Sequence, residues 1–275
     1  MSAAFVVVPQ WQGSGSSRAM RLVDGAEAIR GDLPSASTFS VNVPLEAGDE
    51  LGTGVHRAGS LRLTHERSLA VLAEIEGWAI TIGGDCGVSL AAIGHANERT
   101  KGDLAVVWFD AHPDLNTPET SPSGIFNGMV LRALTGEGVE GLVPSRPVEP
   151  SHLVLAGTRS FDPGEDDFVA AHGIQPITAA ALATPKALLK AIAATGASSV
   201  YLHIDVDVLD PGEISGLGYP VPFGISAASL VELIRAVKGR FALAGASITE
   251  FAPVSPEAAV EDLGVILRVI GALTS

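Results

Sequence analysis

Residues 203–211 read His-Ile-Asp-Val-Asp-Val-Leu-Asp-Pro and close an apolar, β-branched run that predicts a buried strand over 200–208. Side chains alternate between the two faces of a strand, so Asp205 and Asp207 are expected to point the same way. An unpaired buried carboxylate is costly, and two like charges side by side cost more. The stretch therefore predicts a bound cation.

A second acidic motif follows another apolar run. After a predicted strand at 104–109 the chain continues Asp110-Ala-His112-Pro-Asp114, with Asp110 and His112 expected on one strand face. Carboxylates with a neutral imidazole suit Mn²⁺, Fe²⁺, Co²⁺ or Zn²⁺. One divalent ion would balance only two of these carboxylates, so a pair of metals bridged by shared carboxylates is the simpler neutralisation, and this arrangement is typical of hydrolases.

Predicted strands and helices alternate along the chain. The alternation predicts the α/β class, as one domain over 1–275: a doubly wound, mostly parallel sheet with helices on both faces. Polar segments rich in Gly and Pro follow the strands, at the sheet edge where such folds bind ligands. The predicted strands cover 5–8, 78–82, 104–109, 153–156, 200–208 and 246–249, and the predicted helices include 59–75, 186–194, 226–238 and 256–273.

Composition limits the partners and the compartment. Hydrophobic residues make up 47% of the 275 residues and charged residues 17%, which fits a sheet covered on both faces. The formal charge of -14, without a basic cluster, argues against nucleic acid or an anionic membrane and is compatible with a small cationic substrate. No apolar run approaches membrane-spanning length. The single cysteine, Cys86, excludes an intrachain disulfide, and a cytoplasmic location is expected.

Several polar residues have simpler interpretations. Asp162 and Asp210 each precede a proline and can serve only as turn or cap residues. A phosphate-binding turn at 83–85 is disfavoured, since it lacks both the Lys-Ser/Thr pair and a third glycine. Ordinary surface or core positions are expected for the remaining histidines, namely His56, His65, His95, His152 and His172.

The motifs at 83–86, 110–116, 203–211 and 249–250 together resemble, in order and spacing, the arginase (ureohydrolase) family of binuclear manganese enzymes. The resemblance implies two Mn²⁺ ions, a homo-oligomer, and attack of activated water on a guanidino carbon. It implies that Asp110 and Asp205 are shared between both ions. His112 and Asp207 would complete one ion, and Asp114 the other.

The resemblance also implies a binding site for an α-amino acid. Asn116 and Ser123 match the positions that hold the α-carboxylate, and Asp162 matches the position that holds the α-amino group. Glu250 resembles the acid that pairs with the guanidinium, and it is placed with Asp114 and Asn127 among the catalytic residues. An agmatine-like substrate would leave one of these groups without a partner, so a substrate resembling arginine is expected.

Three residues depart from the family pattern. Cys86 stands where a metal-binding histidine is usual, Asn127 where a proton-shuttling histidine is usual, and Tyr219 in place of a small pocket residue. Thiolate is softer than imidazole and pairs poorly with Mn²⁺, so one site should be weaker or differently metallated. Alternatively, Cys86 is a buried neutral thiol beside an under-coordinated ion.

These departures favour a substrate that is less basic than arginine. The cysteine-bearing pattern also resembles the hydroxyarginine amidinohydrolases of D-cycloserine biosynthesis. The expected reaction is therefore the hydrolysis of Nω-hydroxy-L-arginine to L-ornithine and hydroxyurea. Conversion of L-arginine to L-ornithine and urea is the alternative, followed by another ureohydrolase activity such as agmatinase. The alternative that is not an enzyme is a family member that binds metal without catalysing a reaction.

Overall fold

A computed structural model describes residues 3–275. Its centre is a seven-stranded sheet in the order β2-β1-β3-β7-β6-β4-β5, and every pair of neighbouring strands is parallel. The expectation of a doubly wound, mostly parallel sheet is confirmed. The strands are β1 (Ala4–Val8), β2 (Thr38–Ser40), β3 (Ala79–Gly83), β4 (Leu104–Phe109), β5 (Leu153–Ala156), β6 (Ser199–Asp205) and β7 (Ala242–Thr249).

Helices cover both faces of this sheet, and strand alternation produces the two layers. In β1, Phe5 and Val7 belong to one apolar core, whereas Val6 and Val8 belong to the other. Residues of α1, α6, α7 and α8 pack into the first core, and residues of α2, α3, α4 and α5 into the second. The helices are α1 (Met20–Gly31), α2 (Ala58–Ala73), α3 (Ser89–Arg99), α4 (Val130–Leu134), α5 (Pro163–His172), α6 (Lys186–Thr195), α7 (Ala227–Lys238) and α8 (Pro256–Thr274).

One predicted strand end was wrong, and so were two expectations about strand faces. β6 ends at Asp205 and 206–208 form a 3-10 turn, so Asp207 does not share a strand face with Asp205. β4 ends at Phe109 as predicted, so Asp110 and His112 lie beyond the strand and do not share a strand face. The reason is local, because each leading aspartate accepts a hydrogen bond from the amide two residues on. The Asp207 amide donates to Asp205 Oδ1 at 2.7 Å, and the His112 amide donates to Asp110 Oδ1 at 2.6 Å.

These turns bend the chain at the carboxyl edge of the sheet and direct the motif side chains into one crevice. The short edge strand β2 escaped prediction because its three residues, two of them polar and two exposed, show no apolar alternation. Within residues 3–275, no helix combines the length and the apolar character needed to cross a membrane.

Candidate active site

One side of the crevice is built around His112. Its Nδ1 lies 3.0 Å from Asp207 Oδ2 and 3.5 Å from Asp110 Oδ1. Burial alone would lower the pKa of His112, but hydrogen bonds to Asp110 and Asp207 raise it to about 11. For Asp207, the hydrogen bond and charge of His112 outweigh burial and lower the pKa. The Ala111 amide also donates to Asp207 Oδ1 at 3.0 Å, so this side is internally compensated.

The opposite side is built around Cys86, which follows β3 and is buried. Its Sγ lies 3.1 Å from Asp205 Oδ2, and its amide donates to Glu250 Oε1 at 3.2 Å. Asn127 Nδ2 lies 3.4 Å from the same Glu250 oxygen. Burial, followed by the charge of Asp205, raises the pKa of the Cys86 thiol well above its ordinary value. Burial raises the pKa of Glu250 to about 8, with Asp85 contributing.

For the carboxyl groups between the two sides, the charged form is also disfavoured. Burial and neighbouring aspartates raise the pKa of Asp110 to about 7 and those of Asp114 and Asp205 well above the usual range. Asp114 Oδ2 and Glu250 Oε2 are buried without a hydrogen-bond partner. Both residues have left-handed backbones, with φ of 52° and 64°. Strained residues with unpartnered buried oxygens are typical of a functional site.

The donor set fits divalent metals. Three groups of ligand atoms each lie within 4.8 Å of one another, formed by Asp110, His112 and Asp207, by Cys86, Asp205 and Glu250, and by Cys86, Asp110 and His203. Cations there would supply the charge that the buried carboxylates lack. Oxygen, imidazole and sulfur donors together favour a transition metal over Mg²⁺ or Ca²⁺.

The residues predicted to bind an α-amino acid, Asn116, Ser123 and Asp162, lie at the mouth of the crevice, and we call them the amino-acid clamp. Asn116 Nδ2 donates to Asp162 Oδ2 at 2.9 Å. Asp162 is also the N-cap of α5, and its amide donates to Glu165 Oε2 at 2.8 Å, so its interpretation as a cap residue is confirmed as well. Glu165 Oε1 accepts a hydrogen bond from the Leu115 amide at 3.0 Å, so Glu165 connects the start of α5 to the loop that follows β4. Ser123 is exposed on the 116–124 loop, where its hydroxyl accepts the Ile125 amide.

A cavity of about 620 Å³ unites these parts. Asp110 is the one candidate residue that does not line it, because it lies beneath His112. Tyr219 is partly exposed at the wall, and its hydroxyl lies near Gly15. The predicted residues on the cavity wall are Cys86, His112, Asp114, Asn116, Ser123, Asn127, Asp162, Asp205, Asp207, Tyr219 and Glu250.

Several residues escaped the sequence reasoning. His56 and Arg57 line the cavity mouth, although His56 was interpreted as an ordinary surface or core histidine. Arg159 donates to the backbone carbonyls of Asp207 and Val221, at 2.8 and 2.7 Å, and so fixes the 211–224 loop against the site. No motif indicates His56. For Arg159, its position directly after β5 was the available signal.

Two other acidic residues have structural roles. Asp85 is buried and accepts hydrogen bonds from Gln10 Nε2 and the amides of Gly13 and Gly87, all at 2.8 Å. It therefore fixes two loops, in keeping with the rejection of a phosphate-binding turn. Asp210 accepts three backbone amides within 211–224, and its interpretation as a turn residue is confirmed.

Comparison with known proteins gives the family. The Arginase family model matches residues 18–266. The chain belongs to the arginase family. Arginase from Staphylococcus aureus (strain MRSA252) is 34% identical over 174 residues, which are 60% of this chain and 57% of that protein. The chain thus aligns with little more than half the length of this curated relative.

Solved structures agree over the whole chain. The crystal structure of Entamoeba histolytica arginase in complex with L-ornithine superposes with a TM-score of 0.86 at 25% identity and covers 99% of both chains. Proclavaminate amidino hydrolase from Streptomyces clavuligerus gives a TM-score of 0.73 at 21% identity, covering 100% of this chain and 92% of that one, and shares the fold. Arginases bind a binuclear metal centre, and the clusters described above supply candidate ligands for it.

Proposed function

We propose that this arginase-family protein is an amidinohydrolase that converts Nω-hydroxy-L-arginine and water to L-ornithine and hydroxyurea, with two Mn²⁺ ions. The observation that carries the proposal is Cys86, which lies among the carboxylates of the site at 3.1 Å from Asp205. It replaces the histidine expected there with a ligand that suits Mn²⁺ poorly. A substrate that needs less activation than arginine fits this change.

The mouth of the cavity supports an α-amino acid. Asn116 and Asp162 are hydrogen-bonded to each other, and Ser123 lies on the same loop as Asn116. Asn116 and Ser123 would bind the α-carboxylate, and Asp162 the α-amino group. Arg57 at the mouth adds positive charge, which would attract the substrate carboxylate. The L-ornithine bound by the Entamoeba histolytica arginase has the same two charged groups.

The acidic floor supports a cationic or polar guanidino end. Glu250 is held by the Cys86 amide and by Asn127, so its free oxygen can pair with the substrate. Cys86, His112 and the aspartates would hold the metals, which when bound lower the pKa of water enough to supply a nucleophile near neutral pH. Hydrolysis forms a C–O bond at the guanidino carbon and breaks the bond to the δ-nitrogen, which gains a proton and leaves as the ornithine amine.

Asn127 supports the choice of a hydroxylated substrate. Its amide lies 3.4 Å from Glu250 and does not titrate, so it cannot relay the proton that the departing amine requires. An N-hydroxyguanidine is less basic than a guanidine, so more of it is neutral and electrophilic near pH 7. Its extra hydroxyl is itself a proton donor. Hydroxyarginine thus depends less than arginine on the histidine that is missing here.

The test is a product assay on the purified protein, loaded with Mn²⁺, with Nω-hydroxy-L-arginine, L-arginine and agmatine as substrates. We expect ornithine and hydroxyurea from the first at a kcat/KM far above that for ornithine and urea from the second. A higher kcat/KM on L-arginine would identify an ordinary arginase, and preference for agmatine would remove the role of the clamp. Two bound metals without turnover of any substrate would identify a non-catalytic family member.

A further inference from the structure

We propose that His203 supplies the imidazole that the Cys86 position lacks, and that it binds the metal at Cys86 from the neighbouring strand β6. His203 Nε2 lies 3.7 Å from Cys86 Sγ and 3.9 Å from Asp110 Oδ2. The ligand atoms of Cys86, Asp110 and His203 all lie within 4.8 Å of one another, as a metal site requires. Alternation along β6 places His203 on the same face as Asp205.

The other ring nitrogen is fixed as in a metal-binding histidine. His203 Nδ1 lies 2.9 Å from Ser89 Oγ and 3.1 Å from Ser247 Oγ. Ser89 Oγ donates to Ser247 Oγ at 2.9 Å, which leaves the Ser89 oxygen free to accept the Nδ1 proton. With the proton on Nδ1, the lone pair lies on Nε2 and faces the cluster. Histidines that bind metals are typically oriented by such a hydrogen bond at the second nitrogen.

The neighbouring strands hold the ring rigidly. His203 is paired in register with Trp108 on β4 and with Ser247 on β7. The Trp108 and His203 rings stack with centroids 3.4 Å apart and planes inclined by 12°. Trp108 Nε1 donates to Asp110 Oδ2 at 3.0 Å, so the residue that positions His203 also positions a shared carboxylate.

His203 is fully buried, and its Nε2 faces two candidate metal ligands. Among the described residues, the polar neighbours of its Nε2 are Cys86 Sγ and Asp110 Oδ2, and both belong to candidate metal ligands. A thiol at 3.7 Å is a weak hydrogen-bond partner for a buried imidazole nitrogen, and coordination of a cation would replace it with a stronger interaction.

Counting imidazole ligands on the metal tests the proposal. The intact protein, labelled with ¹⁵N-histidine and loaded with two Co²⁺ per chain, should show two exchangeable imidazole N–H signals with large paramagnetic shifts. One would come from His112 and the other from His203. A single shifted signal in the wild-type protein would overturn the proposal without any variant, even if a variant fails to fold.

Two variants assign the signals. In His203→Asn, the shorter side chain keeps an amide donor near Ser89 but removes Nε2, so one shifted signal and one tightly bound metal should be lost. The expected loss of affinity exceeds the roughly 10- to 100-fold typical when a residue that only supports a ligand is removed. His95→Asn, on α3 and outside the site, should change neither. Retention of both metals with unchanged affinity in His203→Asn would overturn the assignment.

These measurements are independent of the substrate. The inference depends on the binuclear centre of the family but not on hydroxyarginine as the substrate. A protein that hydrolyses arginine instead would still show two imidazole ligands if His203 binds metal. Conversely, hydroxyarginine hydrolysis with one imidazole ligand would remove the role of His203 and leave the proposed reaction intact.

Discussion

The two sides of the site are electrostatically different. Around His112, protein groups compensate one another, since the pKa of Asp207 is lowered and that of His112 is raised by their contact. Around Cys86, the thiol and Glu250 both have raised pKa values, and one Glu250 oxygen has no partner. The contact with His112 therefore offsets the effect of burial on Asp207, whereas burial remains the largest effect on the pKa values of the Cys86 thiol and Glu250.

The largest effect is expected where the two sides meet. Asp205 contacts Cys86 on one side and the Asp207 amide on the other, so Asp205→Ala should remove most bound metal and nearly all turnover. Metal content after dialysis and the product assay would measure both. Asp210→Ala is a matched control, because Asp210 lies in the turn that follows and is not a candidate metal ligand. This variant should retain both metals. Two metals per chain with substantial turnover in Asp205→Ala would show that Asp205 is not shared.

Substitution of Cys86 tests whether the sides differ because of this one residue. Cys86→His introduces an imidazole, which binds Mn²⁺ better than a thiol and needs no deprotonation near neutral pH. The variant should bind the second Mn²⁺ more tightly and gain activity on L-arginine relative to Nω-hydroxy-L-arginine. Cys86→Ala should bind that ion more weakly than the wild-type protein. Unchanged Mn²⁺ affinity in both variants, measured by titration, would place Cys86 outside the metal site.

Much of this contrast could be predicted from the sequence, because buried carboxylates within apolar runs are unusual. The runs at 104–109 and 200–208 identified two central strands and the edge where their acids lie. Spacing could not show that Asp110 and Asp205 accept hydrogen bonds from amides two residues on, which turns the chain so that neither His112 nor Asp207 continues a strand. Aspartate side chains compete with the hydrogen bonds between strands for backbone amides, and the alternation of residues along a strand does not predict which wins.

The contributions of His203 and Glu165 could not be predicted, for another reason. His203 matters through Ser89 and Trp108, which lie far from it in sequence and meet it only across the sheet. Glu165 acts through backbone amides, one of them on a distant loop. Alternation along one strand places a side chain on a face, but the neighbours it meets depend on strand order, which follows from the whole fold.

A smaller effect is expected at the mouth, away from both metal positions. Asp162→Ala removes a charged hydrogen-bond partner, which typically costs about 1.5 to 3 kcal/mol, or roughly ten- to a hundredfold in kcat/KM. The loss should fall on the α-amino acid substrate and spare an agmatine-like analogue. Kinetics on both substrates measure the difference. Equal losses would show that Asp162 acts only as the cap of α5.

The smallest effect concerns stability without metal. Burial raises the pKa of Asp85 to about 6 and that of Glu165 to about 7, above the values of about 4 expected in the unfolded chain. Through these two groups the folded state binds more protons than the unfolded state between about pH 4 and 7, which lowers the free energy of unfolding as pH rises. His65, whose pKa is lowered by burial to about 4, acts in the opposite direction but is a single group, so a net fall is expected.

Urea unfolding of the metal-free protein at pH 5, 6, 7 and 8 measures this slope, with a decrease of about 1 to 3 kcal/mol expected. Asp85→Asn should lower stability at every pH, because an amide cannot accept all three of the hydrogen bonds that Asp85 receives. It should also flatten the slope, since the titrating group is gone. A metal-free protein whose stability rises from pH 5 to 7 would show that Asp85 and Glu165 do not take up protons on folding.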